Sequence, residues 1–150
     1  MQAVIFIGVQ ATGKSTFYKE RFFTTHVRIN LDMLKSRQRE QMILEACLKS
    51  RQSFVIDNTN PTIEDRKRYV ISANAAKFEV IGYYFESKIP ASLQRNKERL
   101  GKQRIPEAGI WSTYSKLQIP ALNEGFDKLY CVKLDPQGLF VVEEWVDDSD

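Results

Sequence analysis

Ala3-Val4-Ile5-Phe6-Ile7-Gly8-Val9-Gln10-Ala11-Thr12-Gly13-Lys14-Ser15-Thr16-Phe17 decides the fold. Residues 3–7 form a continuous apolar run, which suits a strand buried on both faces of a parallel sheet. Residues 16–23 read as a helix. Between strand and helix, Gly8 to Ser15 matches G-x-x-x-x-G-K-[ST] at every fixed position. Each fixed residue has a physical reason. Gly8 and Gly13 permit backbone angles that a side chain would block. The loop can then turn its N–H groups inward as a nest for phosphate oxygens, and the following helix presents its positive end to the same anion. Lys14 supplies a point charge for the β- and γ-phosphates, and the Ser15 hydroxyl suits Mg²⁺.

The pattern continues outward from this loop. Strands are expected at residues 27–30, 53–57, 78–85 and 129–134, and residues 139–145 offer an additional edge strand. Helices are expected at 32–49, from Pro61 onward, at 90–99 and at 110–119. In the helix at 32–49, Leu34, Met42, Ile43, Ala46 and Cys47 are the expected inward positions, and Ile63, Tyr69 and Val70 in the next. Residues 101–109 form a basic loop punctuated by Gly and Pro. Strands alternating with helices predict an α/β fold: a mostly parallel five-stranded sheet flanked by helices, with a short basic lid, and the strand order 2-3-1-4-5 is an expectation from the fold class alone. Ligands of such sheets lie beyond the carboxyl ends of the strands.

The 150 residues suit one domain, with 145–150 as a frayed acidic tail. A net charge of +3 does not by itself call for nucleic acid. Positive charge gathers at Lys35, Arg37 and Arg39, and again at Arg95, Lys97, Arg99, Lys102 and Arg104. Two isolated cysteines, Cys47 and Cys131, give neither a disulfide framework nor a zinc spacing, and both read as core residues. A single histidine excludes a histidine-built metal site. No leader peptide and no apolar run of membrane length is expected, so the cytoplasm is the default compartment.

Three further places carry chemistry. Asp32 follows the second strand in Asn30-Leu31-Asp32, where it either acts as a general base near the γ-phosphate or merely caps the next helix. Asp57 ends the third strand in Val55-Ile56-Asp57-Asn58-Thr59-Asn60-Pro61, either supporting Mg²⁺ or forming a turn before Pro61. Asn58, Thr59 and Asn60 offer donors to a substrate phosphate. Arg95 and Arg99 lie four apart on one helix face, as part of a lid over bound nucleotide or as a solvated face paired with Glu98 and Glu107.

In this order, these pieces resemble the kinase domain of the polynucleotide 5′-hydroxyl kinases. The similar stretches are residues 8–17, Asn30–Asp32, Val55–Pro61, Arg66–Ala73 (RKRYVISA), Arg95–Arg99, Ile105-Pro106 and Ala121–Phe126 (ALNEGF), spread over residues 3–134. The resemblance implies a P-loop kinase using ATP and Mg²⁺ on the 5′ end of a nucleic acid. It implies Asp32, Lys14 and Arg99 as catalytic residues, with nucleotide held by Gly8, Gln10, Ala11, Thr12, Gly13, Lys14, Ser15, Thr16 and Arg95. Ser15 and Asp57 would serve the metal, and Lys35, Asn58, Thr59 and Asn60 the acceptor. Where the family has Arg between the Asn and Asp of its N-x-D motif, this chain has Leu31; Lys35, one turn on, is the candidate replacement cation. A phosphatase or ligase partner would act in trans. Two other functions compete with a polynucleotide kinase: a small-molecule kinase acting on a nucleoside, sugar or antibiotic, and a nucleotide-gated interaction module without turnover. Oligomeric state has no signature in the sequence.

Overall fold

The computed structural model describes residues 1–86, 89–101 and 104–146. Lys102 of the basic run and residues 147–150 of the expected tail lie outside them. The elements run β1 (Gln2–Ile7), α1 (Lys14–Arg21), β2 (Val27–Ile29), α2 (Leu31–Leu34), α3 (Arg37–Ser50), β3 (Phe54–Ile56) and α4 (Ile63–Ala75). They continue as β4 (Glu79–Phe85), α5 (Ile89–Glu98), α6 (Glu107–Lys116), a 3₁₀ turn at Leu122–Glu124, β5 (Lys128–Leu134) and β6 (Phe140–Glu144). The sheet order is β2-β3-β1-β4-β5-β6. The five expected strands are all parallel in the expected order, and β6 joins β5 antiparallel as the sixth.

β1 is the central strand, fully buried from Ala3 to Ile7. Its alternation divides the core: Ala3, Ile5 and Ile7 face the side packed by α3 and α4, while Val4 and Phe6 face the side packed by α1. On that second face Phe6, Phe17, Phe22 and Phe85 meet at centroid separations of 5.0 to 5.9 Å, tilted or edge-on as ring quadrupoles prefer.

The helix expected over residues 32–49 is two helices. Lys35 takes a left-handed conformation (φ 73°), and Ser36 caps α3 by accepting from Arg39 N. The break resets which residues face inward. Glu40, Leu44 and Cys47 form the buried stripe, while Met42 and Ile43 are exposed and Leu34 is partly buried. Ile63 is likewise exposed, because the Thr62–Asp65 capping box starts α4 two residues after Pro61 and turns Arg66, Tyr69, Val70 and Ala73 inward. Cys47 is buried and Cys131 half-buried.

Arg66 is fully buried, and all its guanidinium nitrogens have partners. Nε and Nη2 grip Glu124 at 2.9 and 3.1 Å. Nη1 donates to Asn60 O and Pro61 O, and Nη2 also reaches Gln118 O. One side chain therefore ties together the loop after β3, the segment after α6 and the 3₁₀ turn. RKRYVISA and ALNEGF, far apart in sequence, meet at this ion pair.

Glu124→Ala is expected to destabilise the fold by about 3–5 kcal/mol, because it leaves a buried guanidinium uncompensated. Urea unfolding of the two proteins measures this, and a loss below about 1 kcal/mol would contradict the role given to the pair.

Candidate active site

The carboxyl ends of β1, β2 and β3 open into a cleft of about 580 Å³. Its lining includes Gln10, Ala11, Lys14, Ser15, Asp32, Asp57, Asn58, Thr59, Asn60 and Arg99, so most of the sequence candidates converge there. Thr16 and Lys35 are exposed and are not among the lining residues.

The Gly8–Ser15 loop is built as its motif requires. Gly13 has φ 94°, and a Cβ there would come within 2.9 Å of the Phe140 ring. Gly8 N donates to Thr59 O, which fixes the loop to the β3 end. Asn60 Nδ2 donates to Phe6 O from the same segment. Ala11 is left-handed at φ 62°, a conformation costly for a residue with a Cβ, and its carbonyl accepts from Arg95 Nη1 at 3.1 Å. Thr12 closes the loop by donating to Val9 O. No side chain caps α1, so its first-turn N–H groups remain for an anion. The donor set therefore fits a nucleotide polyphosphate.

Lys14 is nine-tenths buried, with its ammonium on Gly8 O at 3.0 Å and Val9 O at 2.6 Å. Burial is the main reason that its pKa falls to about 8; Asp57 and Asp32 push it up and Arg99 pushes it down. Those three groups are therefore its electrostatic neighbours.

On the metal side, Ser15 Oγ donates to Asp57 Oδ2 at 3.0 Å, and Asp57 is only 2% exposed. A hydroxyl and a carboxylate are hard oxygen donors of the kind that, with phosphate oxygens, fit Mg²⁺. Among the described residues there is no cluster of three or more His, Cys, Asp and Glu side chains to hold a metal alone. Arg28, from the middle of β2, also reaches this pair: Nε lies 2.8 Å from Asp57 Oδ2 and Nη2 3.0 Å from Ser15 Oγ. Sequence reading missed Arg28. The available signal was a charged residue inside a three-residue strand whose end faces the site.

Asn30, not Asp32, is the N-cap of α2, accepting from Met33 N while its Nδ2 bonds Asp57 O. That leaves the Asp32 carboxylate exposed at the cleft wall. Behind it, Asn58 Oδ1 accepts from Leu31 N and its Nδ2 donates to Glu40, which is 2% exposed. Glu40 also accepts from Arg37 Nη1 and Tyr69 OH, each at 2.9 Å. Burial, then Glu40, pushes the Tyr69 hydroxyl up to about 12, so it stays a proton donor. The amide donors of Asn58 and Asn60 are thus engaged within the protein, while Thr59 lines the cleft. The cation of the first basic run that lines the cleft is Arg37 rather than Lys35, because the break at Lys35–Ser36 redirects the chain.

α5 and α6 cover the other side. Arg95 anchors α5 to the phosphate loop, and Asn96 is buried and bonds both the N–H and the carbonyl of Ile105. Gln10 Nε2 meets Thr113 Oγ1 at 3.0 Å, which links the loop to α6. Arg99 and Lys116 reach the cleft from this cover.

The Lys14 shift has a measurable sign. Between about pH 8 and its ordinary 10.5 the folded chain carries fewer protons at Lys14 than the unfolded chain, so stability rises with pH across that window. Relative to Lys14→Met, the wild-type protein is expected to gain up to about 3 kcal/mol from pH 8 to 10.5. Parallel denaturant titrations of the two check it, and parallel stability profiles would refute it.

Comparisons with known proteins agree with the fold. The AAA domain family model (AAA_33) matches residues 4–112. The bifunctional polynucleotide phosphatase/kinase of Schizosaccharomyces pombe is 31% identical over 129 residues, which cover 83% of this chain and 32% of that one. A protein of Acanthamoeba polyphaga mimivirus, provisionally given the same name, is 28% identical over 138 residues, covering 87% and 33%. The chain thus spans about a third of the length of these relatives. Among solved structures, Chaetomium thermophilum Kti12 in complex with ADP-AlF3 superposes with a TM-score of 0.66 at 15% identity, covering 89% of each chain. A Sinorhizobium meliloti gluconokinase gives 0.61 at 15%, covering 88% and 82%. At such identities these two speak to the fold alone. With a complete phosphate loop at the head of a parallel sheet, the chain belongs to the AAA domain family as a nucleotide-binding P-loop domain.

Proposed function

We propose that this chain transfers the γ-phosphoryl group of ATP to the 5′-hydroxyl of a nucleic acid. The observation that carries the reading is the meeting of Asp32, Lys14 and Arg99 on one cleft. The acceptor oxygen attacks the γ-phosphorus, the bond to the β-phosphate oxygen breaks, and ADP leaves. Asp32 takes the hydroxyl proton. Lys14 and the α1 N-terminus hold the phosphates, with the Gln10–Gly13 backbone shaping the cradle. Arg99 balances charge developing on the transferred group, and Arg95 keeps the lid on the loop through Ala11 O. Ser15 and Asp57 would hold Mg²⁺, which would supply Lewis-acid neutralisation of the phosphate oxygens when bound.

Cations around the cleft, Arg37 and Lys116 with Arg99, suit a polyanionic acceptor, and the names of the curated relatives support the same substrate class. Of the acceptor residues, Thr59 and Arg37 are better placed than Lys35. A phosphatase or ligase working on the same ends, in the cytoplasm, is the partner chemistry this reading implies. Among the described residues no helix is long and apolar enough to cross a membrane. A small-molecule acceptor is the second reading, favoured by Leu31 on the cleft wall and by a cleft volume within the range of small-molecule pockets.

Transfer of labelled γ-phosphate to 5′-hydroxyl DNA and RNA oligonucleotides, beside a nucleoside and sugar panel, tests the proposal. Asp32→Ala is expected to lower transfer by about 10²–10⁴-fold while nucleotide affinity changes little. Label on small acceptors alone would favour the second reading, and retained turnover with lost nucleotide affinity would remove Asp32 as the base.

A further inference from the structure

Arg28 stands where a metal-binding P-loop site has use for a cation. Its guanidinium donates to Asp57 Oδ2 at 2.8 Å and to Ser15 Oγ at 3.0 Å, and Ser15 donates to the same carboxylate oxygen. The three side chains form a closed triangle. Two of its corners are the oxygens given above to Mg²⁺, and the third is a fixed positive charge.

The energetics of the triangle are one-sided. Asp57 is buried, so its carboxylate needs a compensating charge, and Arg28 provides it. Arg28 itself is 27% exposed and projects from β2, the edge strand of the sheet, so it can withdraw toward solvent without opening the core. A hydrated divalent ion arriving alone meets like charge at the two oxygens it needs, and it must also shed strongly held water. An ion arriving on a polyphosphate brings several negative charges with it, and those offset the guanidinium.

We infer that Arg28 is a specificity-determining residue of this site: it makes the Ser15–Asp57 pair select divalent metal delivered with nucleotide over free divalent metal. The inference rests on the reading of Ser15 and Asp57 as the metal side of the nucleotide site. Its chemistry is competitive. The same carboxylate that the metal would approach is occupied by the Arg28 guanidinium.

The test uses Mn²⁺ as the probe, with free Mn²⁺ counted by electron paramagnetic resonance and Tm read in parallel. Wild-type protein, Arg28→Gln and Arg28→Lys are compared, each with and without a non-hydrolysable ATP analogue. Without nucleotide, Arg28→Gln is expected to bind Mn²⁺ about tenfold or more tightly than wild type, and Mn²⁺ is expected to raise its Tm more. Arg28→Lys, which keeps the charge, is expected to behave as wild type. With the analogue, wild type and Arg28→Gln should agree within about threefold. Equal Mn²⁺ affinity of wild type and Arg28→Gln without nucleotide overturns the inference. So does weaker Mn²⁺ binding by Arg28→Gln with the analogue, which would make Arg28 a support for the metal rather than its competitor. Should Arg28→Gln fail to fold, wild type alone decides, because free Mn²⁺ bound as tightly as nucleotide-borne Mn²⁺ overturns the selectivity. Failure of wild type to bind Mn²⁺ even with the analogue is a distinct result: it removes the metal reading itself and this inference with it.

Discussion

The buried pair of Arg66 and Glu124 is the constraint on which the site's shape depends. A guanidinium with no solvent exposure must place every donor, and here the acceptors come from three separated segments. Asn60, one of those acceptors, sits in a left-handed conformation (φ 45°) and laces the β3 loop to the end of β1. The adjoining Thr59 carbonyl receives Gly8 N. The position of the phosphate loop is therefore traceable, bond by bond, to an ion pair whose guanidinium lies wholly inside the protein.

Much of this was legible beforehand. Five strands and the phosphate loop follow from apolar runs, three of which end at Gly8, Asn30 and Asp57, because a parallel sheet buries whole strands and exposes only their carboxyl ends, while the strand order rested on the fold class rather than on any residue. The α2–α3 break was not. Ser36 is a good cap residue, but an apolar pattern on both sides masks it, and the inward stripe shifted to Glu40, Leu44 and Cys47 in consequence. A glutamate in that stripe reads as surface until Tyr69, Arg37 and Asn58 are seen to satisfy it. Lys35 and Arg37 could be told apart only once the backbone turn between them was known. The amides of Asn58 and Asn60 illustrate the same limit. Their type promises donors to a ligand, while tertiary contacts engage the Asn58 amide with Glu40 and one Asn60 N–H with Phe6 O.

Charge in the cleft is balanced across segments rather than within motifs. Lys14 lies among Asp57, Asp32 and Arg99, contributed by three other stretches of chain, and its lowered pKa reflects burial more than any one of them. An isolated motif would not predict this. The loop sets where the lysine sits, and the surrounding sheet ends and lid set how readily it holds its proton.

The antiparallel strand β6 has a consequence for how the chain is made. Phe140 packs against the Gly13 position and lies 5.1 Å from the Phe17 ring, so a wall of the phosphate loop comes from a residue more than a hundred positions downstream. During synthesis from the N-terminus, β1 and the loop emerge first but wait for β4 and β5, and last for β6, before that wall exists. A nascent chain halted before residue 140 would display the full loop sequence yet lack this aromatic support. The aromatic wall of the loop is thus complete only in chains whose translation has passed that residue.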